Sequence, residues 1–404
     1  MAKNNKTVAN VPNLRFPNFK GDWKTDKMGE ISQFSKGKGI SKLDIVENGT
    51  TECIRYGELY THYSEIIDEV LSTTNIEKSK LIISTENDVI IPSSGETPLD
   101  IAKASCVIKS GIALGGDLNI IKTDINGVFL SYYLNSKKRN EIASLAQGSS
   151  VVHLYSKQLS KLNIYTPLEN EQNKLAYFLT TIDKRISTQN KIIEDYQLLK
   201  KGTMQKLFKQ KLRFKDRKGA LYSEWEKKKM SQIAIFFSGG TPKSSNTHFY
   251  NGDIPFIGSG DISKEKVENF ITKQAYKNSS AKMVEGGDIL YALYGATSGE
   301  VALSKIKGAI NQAVLCIKTE EVKYFIVELL KYNKSKIVSK YLQGGQGNLS
   351  AKIVKDLKFY IPSVSEQQKI ANTLSAIDAK IALETKLLEQ HKSQKKYLLQ
   401  NLFI

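Results

Sequence analysis

A long segment occurs twice in this chain, and the two copies predict two matching helices in one polypeptide. Residues 165–208 and 360–403 share 17 identities over 44 aligned positions, without a gap. The identities include Glu-Gln-x-Lys near the start of each copy and Ile-Asp-x-x-Ile further along ("EQNK…IDKRI" and "EQQK…IDAKI"). Two copies so far apart indicate a duplicated unit of about 200 residues rather than a solenoid.

Weaker matches continue the duplication outside this segment at nearly the same offset. Leu-Arg-Phe occurs at 14–16 and again at 212–214, and "DVIIPSSGET" at 88–97 corresponds to "DILYALYGAT" at 288–297. Each half is therefore predicted to contain a variable first part followed by a better-matched long helix.

Both long segments place apolar residues at alternating spacings of four and three, which is the heptad pattern of helices that pack on one another. Each helix is predicted to span about 38 residues, or roughly 57 Å. If an internal twofold relates the copies, the helices pair in antiparallel orientation. The predicted seam residues of the helix pair are Leu175, Leu179, Ile182, Ile186, Ile193, Ile370, Leu374, Ile377, Ile381 and Leu388.

Polar residues interrupt the seam at matching positions in the two copies, and we expect them to fix the register of the helix pair. Asn170 and Ser365 stand just before a carboxylate residue in each copy and are predicted to be the N-caps. The polar seam positions are Gln189, Lys200, Glu384 and Lys395.

The rest of each half is predicted to be mixed α/β, because short β-branched runs such as "DIPFIG" and "AVLCIK" alternate with Gly, Ser, Asn and Asp turns. The predicted fold class is α+β: two mixed α/β domains separated by a pair of long antiparallel helices, in a pseudo-twofold duplication. The predicted boundaries are 1–166 for the first variable domain, 167–211 for the first helix, 212–361 for the second variable domain and 362–404 for the second helix.

The charge balance predicts a polyanionic partner. The chain has 59 Lys and Arg against 41 Asp and Glu, a net charge of +18, and residues 184–218 alone hold 12 basic and 3 acidic residues. Nucleic acid is the first expectation and an anionic membrane surface the second. A lysine-rich composition typical of an AT-rich genome, or a solvated helix face, is the alternative that these numbers leave open.

Motifs of catalysis and metal binding are not found in the sequence. There is no Walker A loop, no G-x-S-x-G elbow and no Cys-x-x-Cys, and the four histidines lack metal-ligand spacing. The scattered Cys53, Cys106 and Cys316 fit a reducing cytoplasm, and no stretch reaches the ~20 apolar residues of a membrane span. We expect a cytoplasmic chain with no catalytic residues, no metal and no membrane contact.

Turn-rich loops occur at matching places in the two halves, and they are the candidates for contact with DNA. Glycine lets backbone N–H groups approach a phosphate, while Ser, Thr, Lys, Asn and Gln add donors that also reach base edges. The candidate DNA-binding residues are Lys36, Lys38, Lys42, Ser93, Ser94, Thr97, Ser149, Ser150, Thr241, Lys243, Ser244, Ser245, Tyr294, Thr297, Ser298, Gln346 and Asn348.

Several motifs together resemble the specificity subunit of type I restriction–modification systems over essentially the full chain. They are "LRFPNF" followed by a Trp, "SGGTP", "DIPFIGSGDI", "GNLS" and, most specific, the repeated "EQ-x-K…ID-x-x-I". The first half departs from the pattern, because it lacks the "GGTP" and "YGAT-x-GE" wording of the second.

The resemblance implies a non-catalytic subunit of a larger complex. Each variable domain would be a target-recognition domain that reads one half of a split duplex DNA sequence, with the helix pair as the spacer. Two methyltransferase (modification) subunits would bind this chain, and restriction (translocase and nuclease) subunits could join them. S-adenosylmethionine would belong to the modification subunits, and ATP and Mg²⁺ to the restriction subunits.

Two other functions remain open at this point. A stand-alone DNA-binding adaptor would have the same two reading domains but no methyltransferase partner. A pair of lectin-like or enzymatic β-rich domains joined by a coiled coil would not bind duplex DNA.

The charge balance generates a testable expectation about salt. If many lysines contact phosphates, the affinity for duplex DNA should fall steeply between 50 and 200 mM salt, by about 10³-fold or more for six or more contacts. Fluorescence anisotropy of a labelled duplex across a salt series would measure the slope. An affinity that is flat over this range would contradict a DNA-binding role.

Overall fold

The structure, a computed structural model, describes residues 10–342 and 348–404. The chain divides into two compact units. Unit 1 comprises Met1–Asn190 and Lys386–Ile404, and unit 2 comprises Lys191–Thr385. Unit 2 is thus one continuous stretch, whereas unit 1 is completed by a second segment from the far end of the chain.

The described part of unit 1 contains short strands and short helices before the first long helix. The strands are β1 (Lys24–Lys27), β2 (Ser32–Lys36), β3 (Ile45–Val46), β4 (Thr51–Ile54), β5 (Ile66–Ile67), β6 (Ser72–Thr74), β7 (Ile82–Ile83), β8 (Asp88–Pro92), β9 (Ser94–Gly95), β10 (Ser105–Val107), β11 (Ala113–Leu114), β12 (Leu118–Thr123), β13 (Val152–His153) and β14 (Asn163–Thr166). The helices are α1 (Tyr56–Thr61), α2 (Pro98–Ile101), α3 (Gly127–Tyr133), α4 (Arg139–Ser144), α5 (Ser156–Leu159) and α6 (Glu169–Phe208), whose second half lies in unit 2.

The described part of unit 2 repeats this pattern and leads into the second long helix. Its strands are β15 (Glu226–Lys229), β16 (Ile235–Ser238), β17 (Tyr250–Ile257), β18 (Phe270–Ile271), β19 (Lys282–Val284), β20 (Ile289–Ala292), β21 (Val301–Leu303), β22 (Gly308–Ile310), β23 (Val314–Lys318) and β24 (Lys358–Ile361). Its helices are α7 (Met230–Ile233), α8 (Lys273–Lys277), α9 (Lys323–Leu342), α10 (Ala351–Asp356) and α11 (Val364–Asn401), whose last part lies in unit 1.

Within the described residues, the two units share one arrangement of paired strands, and each large sheet of unit 1 has one further strand. One sheet has the order β2-β12-β8-β10-β5 in unit 1 and β16-β23-β20-β21 in unit 2. A second sheet contains a parallel pair, β11 with β4 and β22 with β17, and a two-stranded ribbon joins β1 to β14 and β15 to β24. This equivalence confirms the predicted duplication and the mixed α/β class of both halves.

A buried aromatic cluster lies at the centre of each core. In unit 1, the ring of Trp23 lies edge-on to Phe129 and Phe403, with ring centroids 5.9 and 6.5 Å apart. In unit 2, Trp225 packs edge-on against Phe325 at 6.2 Å. The aromatic rings bury large apolar areas in the edge-to-face geometry that their quadrupoles favour, which fixes the helices against the sheets.

The long helices run antiparallel within each unit. In unit 1, Leu175 and Leu179 of α6 share a buried cluster with Leu398 of α11 and with Leu402, which directly follows this helix. In unit 2, Ile370 and Leu374 of α11 share a buried cluster with Leu207 of α6. Of the other predicted seam residues, those that are buried or half-buried are Ile182, Ile186, Ile193, Ile377, Ile381 and Leu388.

The lysine at one polar seam position in unit 1 binds the aspartate of the repeated motif. Lys395 on α11 lies 2.7 Å from a carboxylate oxygen of Asp183 on α6, and Tyr132 of α3 donates its hydroxyl to the same carboxylate. Burial, together with the neighbouring negative charge of Asp183, raises the pKa of Tyr132, so that its hydroxyl remains a donor.

Unit 2 contains the same arrangement with the helices exchanged. Lys200 on α6 lies 2.7 Å from Asp378 on α11, and Tyr324 of α9 donates to Asp378. Lys200 also lies 2.8 Å from the fully buried Glu328. Burial disfavours the ammonium, but the bonds to Asp378 and Glu328 outweigh burial and raise the pKa of Lys200. The repeated Asp is therefore a contact between the two long helices.

The repeated Glu is also a buried contact. The Glu171 carboxylate accepts hydrogen bonds from Nε and Nη2 of Arg15 at 2.8 and 2.7 Å. Glu366 correspondingly accepts from Arg213 at 3.4 and 3.1 Å and from the Trp225 indole N–H at 3.0 Å. The Leu-Arg-Phe segment of each half is thus held to the start of its long helix.

The repeated Gln fastens the long helix to a second helix. In unit 1, Gln172 accepts from the Asn126 N–H at 2.9 Å and donates to the Pro167 carbonyl at 2.9 Å. Gln367 bonds the Val322 N–H and the Pro362 carbonyl in unit 2 at 3.0 and 2.9 Å. The Glu-Gln pair therefore fixes where each long helix starts.

The predicted N-caps are both wrong by two positions. The long helices begin at Glu169 and Val364, so Asn170 and Ser365 lie inside the first turn. In α11 the capping hydroxyl belongs to Ser363, which accepts from the Glu366 N–H at 3.4 Å. Within residues 10–342 and 348–404, no helix is both long and apolar enough to cross a membrane.

The Lys200 network predicts a specific loss of stability. Lys200→Met keeps most of the side-chain volume but removes a charge partner of the buried Glu328, and we expect unit 2 to lose about 2 kcal/mol. Chemical denaturation followed by Trp225 fluorescence in a Trp23→Phe background would report unit 2 alone, because the chain has 2 tryptophans.

Lys201→Met is the matched control for this measurement. Lys201 is exposed on the next position of the same helix, so its replacement should change stability by less than about 0.5 kcal/mol. Equal midpoints for Lys200→Met and Lys201→Met would show that the buried pair does not stabilise unit 2.

Candidate nucleic-acid interface

The candidate loops of unit 1 leave the sheet at one edge. Strands β2 and β8 flank β12 and run antiparallel to it, with Lys36 opposite Asn119 and Pro92 opposite Leu118. The last residues of β2 and β8 therefore lie beside the first residues of β12. Loops that follow these two strands must emerge together.

Backbone hydrogen bonds add the third loop of unit 1 to this edge. The N–H of Leu154 donates to the Ser93 carbonyl at 3.0 Å, and Val152 pairs with Gly95. The amine of Lys36 lies 5.7 Å from the centre of the Tyr155 ring. Segments 35–42, 92–98 and 147–155 thus form one surface, which we call the loop edge of unit 1.

Unit 2 builds an equivalent loop edge. Ser238 and Ala292 end the strands that flank β23, and the N–H of Leu349 donates to the Leu293 carbonyl at 3.0 Å. The Thr241 hydroxyl bonds the side-chain oxygen of Gln312 at 2.5 Å. The loop edge of unit 2 consists of the described parts of segments 238–246, 292–300 and 311–313 together with 348–350.

One glycine in each loop edge is required by a close approach of two backbone segments. A Cβ on Gly37 would lie 1.9 Å from the Gly115 carbonyl oxygen, and one on Gly239 would lie 1.7 Å from that of Ile310. Only glycine allows this approach. The two glycines follow β2 and β16, which shows that "SKGKG" and "SGGTP" are structurally equivalent despite their different sequences.

Most of the candidate DNA-binding residues lie at the surface of these edges. Tyr294 and Thr297 are half-buried, and the hydroxyl of Thr97 caps α2 by bonding to Asp100. The exposed candidates are Lys36, Lys38, Lys42, Thr97, Ser149, Ser150, Thr241, Lys243, Ser244, Ser245 and Asn348. Gln346 lies outside the described residues.

Three candidate serines are buried, which argues against a direct role in binding. Ser93 and Ser94 are 4% and 5% exposed, because residues 152–154 pair with this segment and cover it. Ser298 is 7% exposed, and its hydroxyl donates to the Leu293 carbonyl at 3.2 Å. Since a DNA contact would require these loops to open, we leave the three serines out of the interface.

The sequence reading missed two exposed side chains on the loop edge of unit 1. His153 and Tyr155 flank the buried Leu154, and their rings stack with centroids 6.3 Å apart. The sequence signal was the alternation of aliphatic Val152 and Leu154 with His153 and Tyr155, because it is the pattern of a strand with one face on the core.

Burial and hydrogen bonding explain the shifted pKa values of four ionisable groups inside the units. Burial raises the pKa of the Cys53 thiol to about 11 and those of Cys106 and Cys316 to about 12, so these thiols stay protonated at neutral pH. Burial of Asp288 is outweighed by hydrogen bonds from Lys318 and from the Glu285 N–H, and its pKa is lowered. No cluster of three or more metal-ligating side chains occurs in the part of the chain that the structure describes.

Comparison with known proteins identifies the family. A model described as the type I restriction modification DNA specificity domain matches this chain twice, at residues 20–195 and 222–392. The chain belongs to the type I restriction–modification specificity family. The general role of this family is the recognition of DNA targets.

Relatives in this family match the chain over most of their length. The type I restriction enzyme MjaVIII specificity subunit of Methanocaldococcus jannaschii is 27% identical, covering 96% of this chain and 92% of its own. The putative type I restriction enzyme MjaX specificity subunit of the same organism is 30% identical over 89% of this chain and 83% of its own.

Solved structures show the same fold. A type I restriction–modification S subunit from M. genitalium superposes with a TM-score of 0.64 at 19% identity, covering 98% of this chain and 99% of that one. A chain from work on complex assembly and conformational transition of the type I R-M system gives a TM-score of 0.58 at 16% identity, covering 94% and 97%.

The close approach at Gly239 predicts a selective loss of DNA binding. Gly239→Ala must push the 239–246 loop away from Ile310, so we expect at least about tenfold weaker binding to a DNA target, in line with the loss of one good base contact. Anisotropy titration with a duplex that holds the target would measure the change.

Gly260→Ala is the control, because a Cβ at Gly260 meets nothing within 4 Å. It should bind like the wild type. Equal affinity of the Gly239→Ala and Gly260→Ala variants would exclude the 239–246 loop from the interface.

Proposed function

We propose that the chain reads a bipartite duplex DNA target, with one half-site for each unit, and brings modification subunits to that target. The observation that supports this proposal is the pair of loop edges. The same topology produces an edge in each unit, yet the exposed side chains on the two edges differ. Two equivalent readers with unlike residues suit a target whose two halves have unlike sequences.

The composition of the edges suits both parts of DNA recognition. Exposed lysines such as Lys38 and Lys243 and backbone N–H groups beside glycines can neutralise or bond phosphates, which positions the protein. Hydroxyl, amide and imidazole groups on the same edges can bond base edges in the major groove, which supplies specificity.

The proposal assigns a role to each part of the chain. Residues 1–166 and 212–361 are the target-recognition domains, and 167–211 with 362–404 form the helical spacer. Two modification subunits bind the chain, and restriction subunits join them. S-adenosylmethionine is carried by the modification subunits, ATP and Mg²⁺ by the restriction subunits, and this cytoplasmic chain contributes no catalytic group.

The partner assignment draws on the names of the relatives, which are specificity subunits of type I restriction enzymes. It also draws on the duplication, because two units of one topology offer two equivalent surfaces to two copies of one partner.

The test of this function is the pattern of methylation that the chain directs in its host. Affinity purification of the tagged chain should recover a methyltransferase, and methylated adenines in the genome should share two short sequences separated by a gap of fixed length. Lys36→Glu/Lys38→Glu/Lys42→Glu should abolish methylation at these sites, because it reverses three charges on one loop edge.

Lys20→Glu/Lys24→Glu/Lys27→Glu is the matched control, because it reverses three exposed lysines on or beside β1, which pairs with β14 and not with a strand that leads into the loop edge of unit 1. Methylation should persist in it. A purified chain that binds DNA but brings down no methyltransferase would favour a stand-alone adaptor. A methylated motif without a gap would contradict bipartite reading.

A further inference from the structure

Three positions on the two loop edges correspond one to one between the units. The first two flank an equivalent buried leucine. Leu154 and Leu349 are each 0% exposed, and each donates its N–H at 3.0 Å to the residue that follows β8 or β20 by one position. The residues on either side of the leucine are His153 and Tyr155 in unit 1, and in unit 2 they are Asn348 and Ser350.

The third position is the last residue of the strand that precedes Gly37 in unit 1 and Gly239 in unit 2. Lys36 lies opposite Asn119, the second residue of β12, and Ser238 lies opposite Leu315, the second residue of β23. Lys36 and Ser238 thus occupy the same place in the two sheets. In unit 1 the Lys36 amine also lies over the Tyr155 ring, so the three positions form one cluster there.

The backbone holds the cluster of unit 1 in a fixed display. The N–H of His153 donates to the Gln147 carbonyl at 2.7 Å, and the Gln147 N–H donates back to the His153 carbonyl at 3.0 Å. The Asn119 amide donates to the Leu154 carbonyl at 3.0 Å from a fully buried position. Side chains displayed on a fixed backbone lose little conformational entropy on binding, which favours their use in recognition.

The two sets differ in the chemistry that reads bases. Lysine donors suit O6 and N7 of guanine, asparagine suits N6 and N7 of adenine, and serine serves either. The exposed rings of His153 and Tyr155 add apolar surface that can contact a thymine methyl group. No such rings occupy the two positions in unit 2, where Asn348 and Ser350 are small and polar.

We propose that these three positions determine base specificity: Lys36, His153 and Tyr155 read the half-site of unit 1, and Ser238, Asn348 and Ser350 read the half-site of unit 2. This inference rests on the proposed function and adds which residues carry the choice of sequence. It requires that exchanging the three residues between units alters one half-site and spares the other.

The test is selection of a randomised duplex library by the full-length chain with its modification subunits, followed by sequencing. Lys36→Ser/His153→Asn/Tyr155→Ser carries the residues of unit 2 into unit 1. We expect a changed base preference in one half of the selected motif, an unchanged other half, and at least about tenfold weaker binding to the wild-type target. The unchanged half shows that the variant is folded.

The reciprocal variant is Ser238→Lys/Asn348→His/Ser350→Tyr, and it should change the other half-site only. The control is Lys227→Ser/Tyr360→Ser. It removes another exposed pair in which a lysine amine lies 5.9 Å from a tyrosine ring, on the β15–β24 ribbon of unit 2. This variant should select the wild-type motif.

The outcomes separate this inference from the proposed function. If the wild-type chain selects a bipartite motif and both exchange variants select the same motif with unchanged affinity, the three positions do not determine specificity and the inference is overturned alone. If the wild-type chain selects no sequence, the proposed function fails and the inference fails with it.

Discussion

The half-buried pairing of a lysine on one long helix with the motif aspartate on the other is the interaction on which this architecture depends. Asp183 receives Lys395 in unit 1, and Asp378 receives Lys200 in unit 2. A charge in a partly desolvated site is costly without its partner, so a shift of one helix by a turn would leave the aspartate without its lysine. The apolar seam favours contact between the helices, and the charged pairs select one register for that contact.

The other residues of the repeated motif are likewise explained by the contacts that they make. Glu171, Gln172 and Asp183 hold the Leu-Arg-Phe segment, a short helix and the opposite long helix, respectively. Each contact recurs in the second unit, and each requires its own residue type. The loop edges carry no such shared constraint beyond a glycine and a leucine, which leaves their exposed positions free to differ between the units.

The sequence was informative where one periodic feature determined one structural element. The heptad spacing of Leu175, Leu179 and Ile182 predicted the long helix and its buried face, and the repeat predicted two similar units. The helix start was predicted less well, because Asn170 and Ser365 satisfy the local preference for a cap while the Glu-Gln contacts place the start earlier. In α11 the cap is another serine, Ser363, and local preference alone does not distinguish it from Ser365.

The loop edges show why a site built from distant segments is harder to predict. The offset of the repeat indicated which loops correspond, but it carried no information on which side chains point outward. Ser93 and Ser94 were predicted to be donors in a polar loop, but residues 152–154 cover them. His153 and Tyr155, which lie beside them and are exposed, were not predicted as site residues. Exposure in a β segment depends on register, and register follows from pairing with a strand far away in sequence.

The discontinuity of unit 1 affects the order in which the protein can fold during synthesis. Unit 2 is a single stretch, so all of its residues are synthesised before residues 386–404. Unit 1 waits for that last segment, because Leu402 and Phe403 fill its core beside Trp23 and Phe129. The half that is translated first is therefore the half that is completed last. A chain that stops before residue 386 would expose the aromatic core of unit 1, whereas unit 2 would contain every residue of its own core.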